Sequence, residues 1–250
     1  MVKLICYNVE YFTGISKGWH EYLFVWRYFK PKNVDEVIVE KLKELKPDIL
    51  ALIELDVENS RTKRDEISFI KNKLSLYHAI KAIKYSFKGI KSILKHVPHL
   101  KYQGNAIISK YKIYDVKTHS LKKGIHNIVI EAKINCPYPV RLILAHLSLR
   151  KKARLKQLKE LANIINSHTV PTILMGDLNT QKNDITVLLN STYLSDAIKL
   201  KDYKTFPSWN PQKHLDYVLV SPSIKIKDYK ILKYNFSDHL PIYINFDVKV

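Results

Sequence analysis

Several residues able to do acid–base or metal chemistry stand at the ends of apolar runs. Thr172-Ile173-Leu174-Met175 reads as a buried strand, and Gly176-Asp177-Leu178-Asn179 follows it. Asp177 and Asn179 are two residues apart, the spacing that puts both side chains on one face of a strand and into one pocket. Asp216 sits inside the apolar run 215–220, where an unpaired charge would be expensive, so it needs a partner. His239, in Ser237-Asp238-His239 just before the strand-like run 240–244, is the imidazole that such a carboxylate would orient. A carboxylate-oriented histidine is a general-base arrangement. Glu54 ends a further apolar run, 49–53. Together these groups predict one metal-assisted site.

The elements that must position them follow from periodicity. Residues 2–9 read as a strand, 34–45 as a helix with Val37, Ile38, Leu42 and Leu45 on one stripe, and 49–55 as a second buried strand, a βαβ unit. Residues 65–76 are predicted helical. The segments 77–84, 105–109, 113–118, 125–134 and 140–147 are β-prone, and 150–167 carries Leu155, Leu158, Leu161, Ala162 and Ile165 at helical spacing. After it come strands at 172–175, 215–220, 225–233 and 241–247. Two mixed sheets packed face to face with helices outside accommodate this order.

Composition bounds the rest. The chain has 250 residues, 46% of them hydrophobic and only 6 glycines, enough for a sizeable core in one domain spanning 1–250. No low-complexity segment or linker marks an internal boundary, and a monomer is expected. No run approaches the roughly 20 apolar residues of a membrane-spanning helix, and 1–12 does not read as a cleavable leader. A cytoplasmic location with Cys6 and Cys136 reduced is the expectation. The net charge of +19 makes polyanions the natural partners, nucleic acid first and anionic phospholipid second. Lysines concentrate at 81–101, which holds six and no acid, and at 150–159. The latter group opens a helix with cations, against the macrodipole, and Lys151 and Lys152 are therefore expected to face phosphate. A long aromatic stretch at 12–32, with Trp19, Tyr22, Phe24, Trp26, Tyr28 and Phe29, reads as packing on the core, as a base-stacking platform or as a lipid-facing ledge.

The ordered series CYNVE at 6–10, LIELD at 52–56, QGNAIISK, LAHLSLR, MGDLNT, LDYVLVS and SDHLPI resembles the endonuclease/exonuclease/phosphatase superfamily, over nearly the whole chain. The resemblance implies a four-layer α/β/β/α sandwich of two mixed sheets, like that of deoxyribonuclease I. It also implies a hydrolase of phosphoric esters using Mg²⁺, with Mn²⁺ as the alternative ion. Glu54 matches the metal-binding glutamate of that superfamily. Asn8 and Glu10, expected to alternate on the first strand, resemble the groups that complete the metal site, and Asp238 is placed beside them. His146 resembles a leaving-group acid, Asn105 belongs to a Gly-Asn segment near the phosphate, and Arg61 resembles an arginine that follows the metal glutamate. Thr205 and Trp209 are expected to contact phosphate and stack on substrate. The expected activity is hydrolysis of phosphodiesters in DNA or RNA. The alternative is a phosphoesterase for phospholipid or inositol-phosphate head groups.

Overall fold

A computed structural model describes residues 1–23, 33–57, 65–83, 103–124, 127–168, 170–180, 182–198 and 203–249. Among the described residues twelve strands form two mixed six-stranded sheets. The first holds β1 (Val2–Asn8), β2 (Ile49–Asp56), β3 (His78–Ile83), β4 (Gln103–Ser109), β11 (Ile224–Ile231) and β12 (Ile242–Val248), in the order β11-β12-β1-β2-β4-β3. The second holds β5 (Ile113–Ser120), β6 (Ile128–Cys136), β7 (Tyr138–His146), β8 (Thr172–Asp177), β9 (Ser195–Asp196) and β10 (Asp216–Val220), in the order β5-β6-β7-β8-β10-β9. At the centre of each sheet lies a parallel pair, β1 with β2 and β7 with β8.

Helices α1 (Val34–Leu45) and α2 (Glu66–Leu74) belong to the first half, α3 (Lys151–Asn166) and α4 (Lys182–Leu189) to the second. Three apolar clusters make four layers of this. Leu4, Cys6, Ile49, Ala51 and Ile53 meet Leu142, Leu144, Ile173, Met175 and Val218 between the sheets. The intervening residues Ile5, Tyr7, Leu50 and Leu52 pack outward under Ile38, Leu42, Ile67 and Ile70 of α1 and α2. Ile143, Ala145, Leu174 and Leu219 do the same under Leu158, Leu161 and Ile165 of α3 and Ile185 and Leu188 of α4. The period of two thus decides which residue faces which core, and each such buried aliphatic side chain contributes roughly 1.5–3 kcal/mol.

The sequence did not announce α4 or β9, and local chemistry accounts for the ends of other elements. Asp65 caps α2 by accepting from the Ile67 and Ser68 amides, which satisfies donors the helix leaves open. In α1 the buried set is Ile38, Val39 and Leu42, and Val37 of the expected stripe is exposed. Arg141, wholly buried on β7, donates to the Ile164 and Ile165 carbonyls at the end of α3 and to Glu131 of β6 (2.7 Å). That side chain ties a helix end to the sheet beneath it. Both cysteines are buried and free. Among the described residues no helix is long and apolar enough to cross a membrane.

Candidate active site

The inward face of the sheets changes from apolar to polar at one end. Along β1 the inward residues Leu4 and Cys6 are followed by Asn8. Ile173 and Met175 of β8 are followed by Asp177, Leu142 and Leu144 of β7 by His146, and Val220 and Val218 of β10, read towards its start, by Asp216. His146 pairs with Asp177 and Asp177 with Asp216 in strand register, so the three stand side by side. Glycine is required at 176, where φ is 144° and a Cβ would lie 1.8 Å from the Ala145 carbonyl oxygen. That close approach lets β7 and β8 stay paired up to the site.

Glu54 arrives differently. Simple alternation along β2 would turn it outward with Leu50 and Leu52. The pairing with β4 slips between Leu52 and Leu55, and Glu54 itself has φ of 58°. This bulge places one extra residue on β2 and re-aims the side chain into the cavity. Its amide donates to Asn105 Oδ1 (3.3 Å). Asn105 is buried but does not line the cavity, so it positions Glu54 where the sequence suggested contact with substrate.

The resulting cavity, about 480 Å³, is lined by Asn8, Glu54, His146, Asp177, Asn179, Asp238 and His239, with Trp19, Tyr22, Leu149, Arg154, Phe206, Lys213 and Leu215 around them. Oδ2 of Asp177 is its hub. It accepts from the Asn8 amide (3.2 Å) and lies 3.5 Å from His146 Nε2 and 3.7 Å from His239 Nε2. On its other side, His239 Nδ1 is 2.7 Å from Asp216 Oδ2. Thr205, fully buried, donates to the same carboxylate oxygen at 2.5 Å. It therefore supports Asp216 rather than facing phosphate. His146 Nδ1 faces Glu54 Oε1 at 3.9 Å. Asn179 reaches the cavity through a left-handed residue (φ 50°) beyond the end of β8, not by strand alternation, and donates to the Leu147 carbonyl. Asp238 accepts from Tyr22 Oη (2.5 Å), and Ser237 Oγ lies 3.1 Å from its other oxygen.

Electrostatics follow from burial. Loss of water pushes the Asp177 carboxyl up to about 8, the His239 charge opposing and Asp216 and Glu54 adding to the rise. Burial raises Asp238 as well. Burial alone would lower His239, yet Asp216, Asp238 and Asp177 hold its imidazole well above the usual range. Carboxylate oxygens crowded together until one holds its proton near neutrality are the environment a divalent cation relieves, and carboxylate and amide oxygens are hard donors that suit Mg²⁺. One compact group of possible ligands is Asp177, Asp216 and His239, whose ligand atoms lie within 4.8 Å of one another. The His239–Asp216 contact at 2.7 Å accounts for much of that compactness, and Glu54 and Asp238 add two further carboxylates to the cavity lining.

Some expected residues stand elsewhere. β1 ends at Asn8, and Glu10 lies in a 3-10 turn (Glu10–Phe12) with φ of 42°, buried and outside the cavity lining. Alternation cannot carry it into the site because the strand has already ended. Lys151 is paired with Asp184 (3.3 Å), Lys152 is exposed, and neither lines the cavity. The cation that does so from α3 is Arg154, fixed by Asp184 and the Ser148 and Leu149 carbonyls. Trp209 packs edge-on against Trp19 and does not line the cavity. Arg61, most of the 81–101 lysines, and Phe24, Trp26, Tyr28 and Phe29 lie outside the described residues. Sequence reasoning missed Lys213 and Leu215. The only signal was their closeness to Asp216.

The description "Endonuclease/Exonuclease/phosphatase family" matches residues 7–239. A mannosyl-6-phosphatase of Bacteroides thetaiotaomicron is similar in structure, with 15% identity and a TM-score of 0.72 over 99% of this chain and 100% of that one. The catalytic domain of human Nocturnin, with bound sulfate, matches at 19% identity and a TM-score of 0.69, over 99% of this chain and 94% of its own. D. rerio TDP2 humanized by 14 mutations matches at 15% identity and a TM-score of 0.70, over 99% of each chain. A search of curated protein sequences found no match. These likenesses carry the four-layer fold, and the family match over most of the chain carries the chemistry. The chain belongs to the endonuclease/exonuclease/phosphatase family, whose members hydrolyse phosphoric esters.

Proposed function

We propose that this protein is a Mg²⁺-dependent phosphodiesterase acting on nucleic acid. The observation that carries the reading is the buried His239–Asp216 pair facing Asp177 across a cavity bordered by Arg154 and Lys213, in a chain of net charge +19. Glu54, Asn8 and Asp238 would hold the ion. It would supply neutralisation of the phosphoryl oxygens and activation of water near neutral pH. Held as an imidazolium, His239 donates from Nε2 to a non-bridging oxygen and stabilises charge developing on phosphorus. Asp216 fixes the tautomer and orientation of that ring. Asp177, whose proton comes off near neutrality, takes a proton from the attacking water, and Asn179 offers an amide hydrogen to the phosphoryl group. His146, on the other side of Asp177, returns a proton to the leaving oxygen.

Among the structural neighbours are a protein named as a mannosyl-6-phosphatase and the Nocturnin domain with its sulfate, so other phosphoric esters belong in the test. A second reading, a phosphoesterase for lipid head groups, is favoured by the exposed Leu149 and Trp19 at the cavity. The test is a panel of plasmid, abasic duplex, single-stranded RNA, mannose 6-phosphate and phosphoinositide, each with Mg²⁺ and with chelator. Cleavage of DNA or RNA that chelator abolishes is expected, and His239→Ala should lower kcat by at least ~10². Release of phosphate from lipid or sugar alone would refute the nuclease reading.

A further inference from the structure

The mouth of the cavity is built from rings. Trp19 opens a short 3-10 turn (Trp19–Leu23) and lines the cavity, yet it remains 58% exposed. Its indole is nonetheless held. Trp209 meets it edge-on at 5.3 Å and 85°, Phe206 at 5.6 Å and 61°, and Tyr22 lies near-parallel at 5.9 Å and 21°. Tyr22 stacks along one side of the indole, and the 58% exposure shows that further ring area stays open to solvent. The arrangement is also tied to the chemistry. Phe206 lies 4.8 Å from the His239 ring, and the Tyr22 phenol donates to Asp238. Lys213 stands beside it, its ammonium 5.8 Å from the centre of the Phe206 ring.

We propose that Trp19 is a stacking platform for a nucleobase next to the scissile phosphate, with Phe206 and Trp209 bracing it and Lys213 taking a neighbouring phosphate. The inference rests on the nucleic-acid reading and names the part of the substrate that the cavity selects. A rigid flat face beside an ammonium group matches a nucleotide, which joins a π-surface to an anion. A sugar phosphate offers C–H faces but no π-surface. An acyl chain uses apolar area without needing a ring, and that difference separates the two by substitution.

The experiment compares binding of adenosine 5′-monophosphate and ribose 5-phosphate by calorimetry, in Mg²⁺-loaded protein carrying His239→Ala to suppress turnover. The base should tighten binding about 10-fold, a step within the range of one stacking contact. Trp19→Phe should keep that preference, and Trp19→Leu should reduce it to within about 2-fold. A base preference that is absent, or that survives in Trp19→Leu, overturns the proposal. So does tighter binding of a short-chain phosphoinositide that Trp19→Leu retains and Trp19→Phe loses, because that pattern marks an acyl ledge. The base preference is read without turnover, so it stands apart from the substrate panel. A panel without nucleic-acid cleavage refutes the activity, and an absent preference in an active nuclease refutes the platform.

Discussion

Asp177 shows at the residue scale how function and stability oppose each other. Its carboxyl is buried and pushed up to about 8, well above the value of an exposed aspartate. The sign is that of a raised group. Its contribution to stability is complete below the unfolded pKa and is lost as pH rises through the folded one. The metal-free protein should therefore lose thermal stability between about pH 4 and 8, with Mg²⁺ restoring part of it at the alkaline end. Asp177→Asn removes the charge and keeps most of the shape. It should raise the melting temperature of the metal-free protein at pH 8, by more than ~1 kcal/mol of stability, while kcat falls by at least ~10². Melting curves at pH 5 and pH 8 check this, and an unchanged or lower melting temperature for the variant at pH 8 would contradict it. The pairing of single residues was partly legible beforehand. Asp216 inside an apolar run demanded a partner, and His239 is that partner. Asn105 and Thr205 were legible as residues near the site but not as supports, because a hydrogen bond to Glu54 or Asp216 leaves no trace in spacing, and neither does the packing of Trp209 on Trp19.

At the scale of elements, most strands were recoverable from alternation and apolar runs and α1 to α3 from the 3.6 period, since each buries a face against a defined core, whereas α4 and the two-residue β9 were not read. Element ends were not legible. The bulge in β2 and the turn at Glu10–Phe12 depend on local departures from regular backbone, with positive φ at Glu54, Glu10, Tyr11 and Phe12, and those residue types give no warning of it. For the same reason Glu54 was expected at the end of its strand and lies within it, and Glu10 was expected in the site and lies outside. The Arg141–Glu131 pair gives the prediction at this scale. Arg141→Met leaves Glu131 buried without its strongest partner and the end of α3 without its donor. A loss of about 3–5 kcal/mol is expected, readable as a shift of the denaturant midpoint. Glu131 also carries an acid signature. Although burial raises it, the Arg141 and His119 bonds prevail and its pKa is lowered. Its stabilisation is present above the unfolded pKa and lost as pH falls through the folded one, so wild type and variant should converge in stability at low pH. A gap that persists undiminished there would show that the pair is not its source.

At the scale of the whole molecule, charge is the feature that composition revealed most directly and positions revealed least. The 150–159 cations were expected to meet phosphate, yet Lys151 is paired with Asp184 and Arg154 is clamped by backbone carbonyls. Two of those six cations are therefore engaged within the protein. Binding of nucleic acid should weaken steeply with salt, with a log–log slope more negative than about −2. Lys213→Ala should flatten it by about 1, whereas Lys152→Ala should leave it nearly unchanged. Titrations at three or more salt concentrations decide it. A slope near zero would remove nucleic acid from consideration. Layer order, by contrast, was readable, because three apolar clusters leave few ways to stack two half-buried sheets.

The hydroxyl of Ser237 donates to the carbonyl of Asn8, β12 pairs with β1, and Tyr22 reaches Asp238. Stretches 229 residues apart thus share one pocket. During translation, therefore, the growing chain can pair β1 with β2 and pack α1, but it holds no competent centre until the ribosome has released the segment carrying Asp238 and His239.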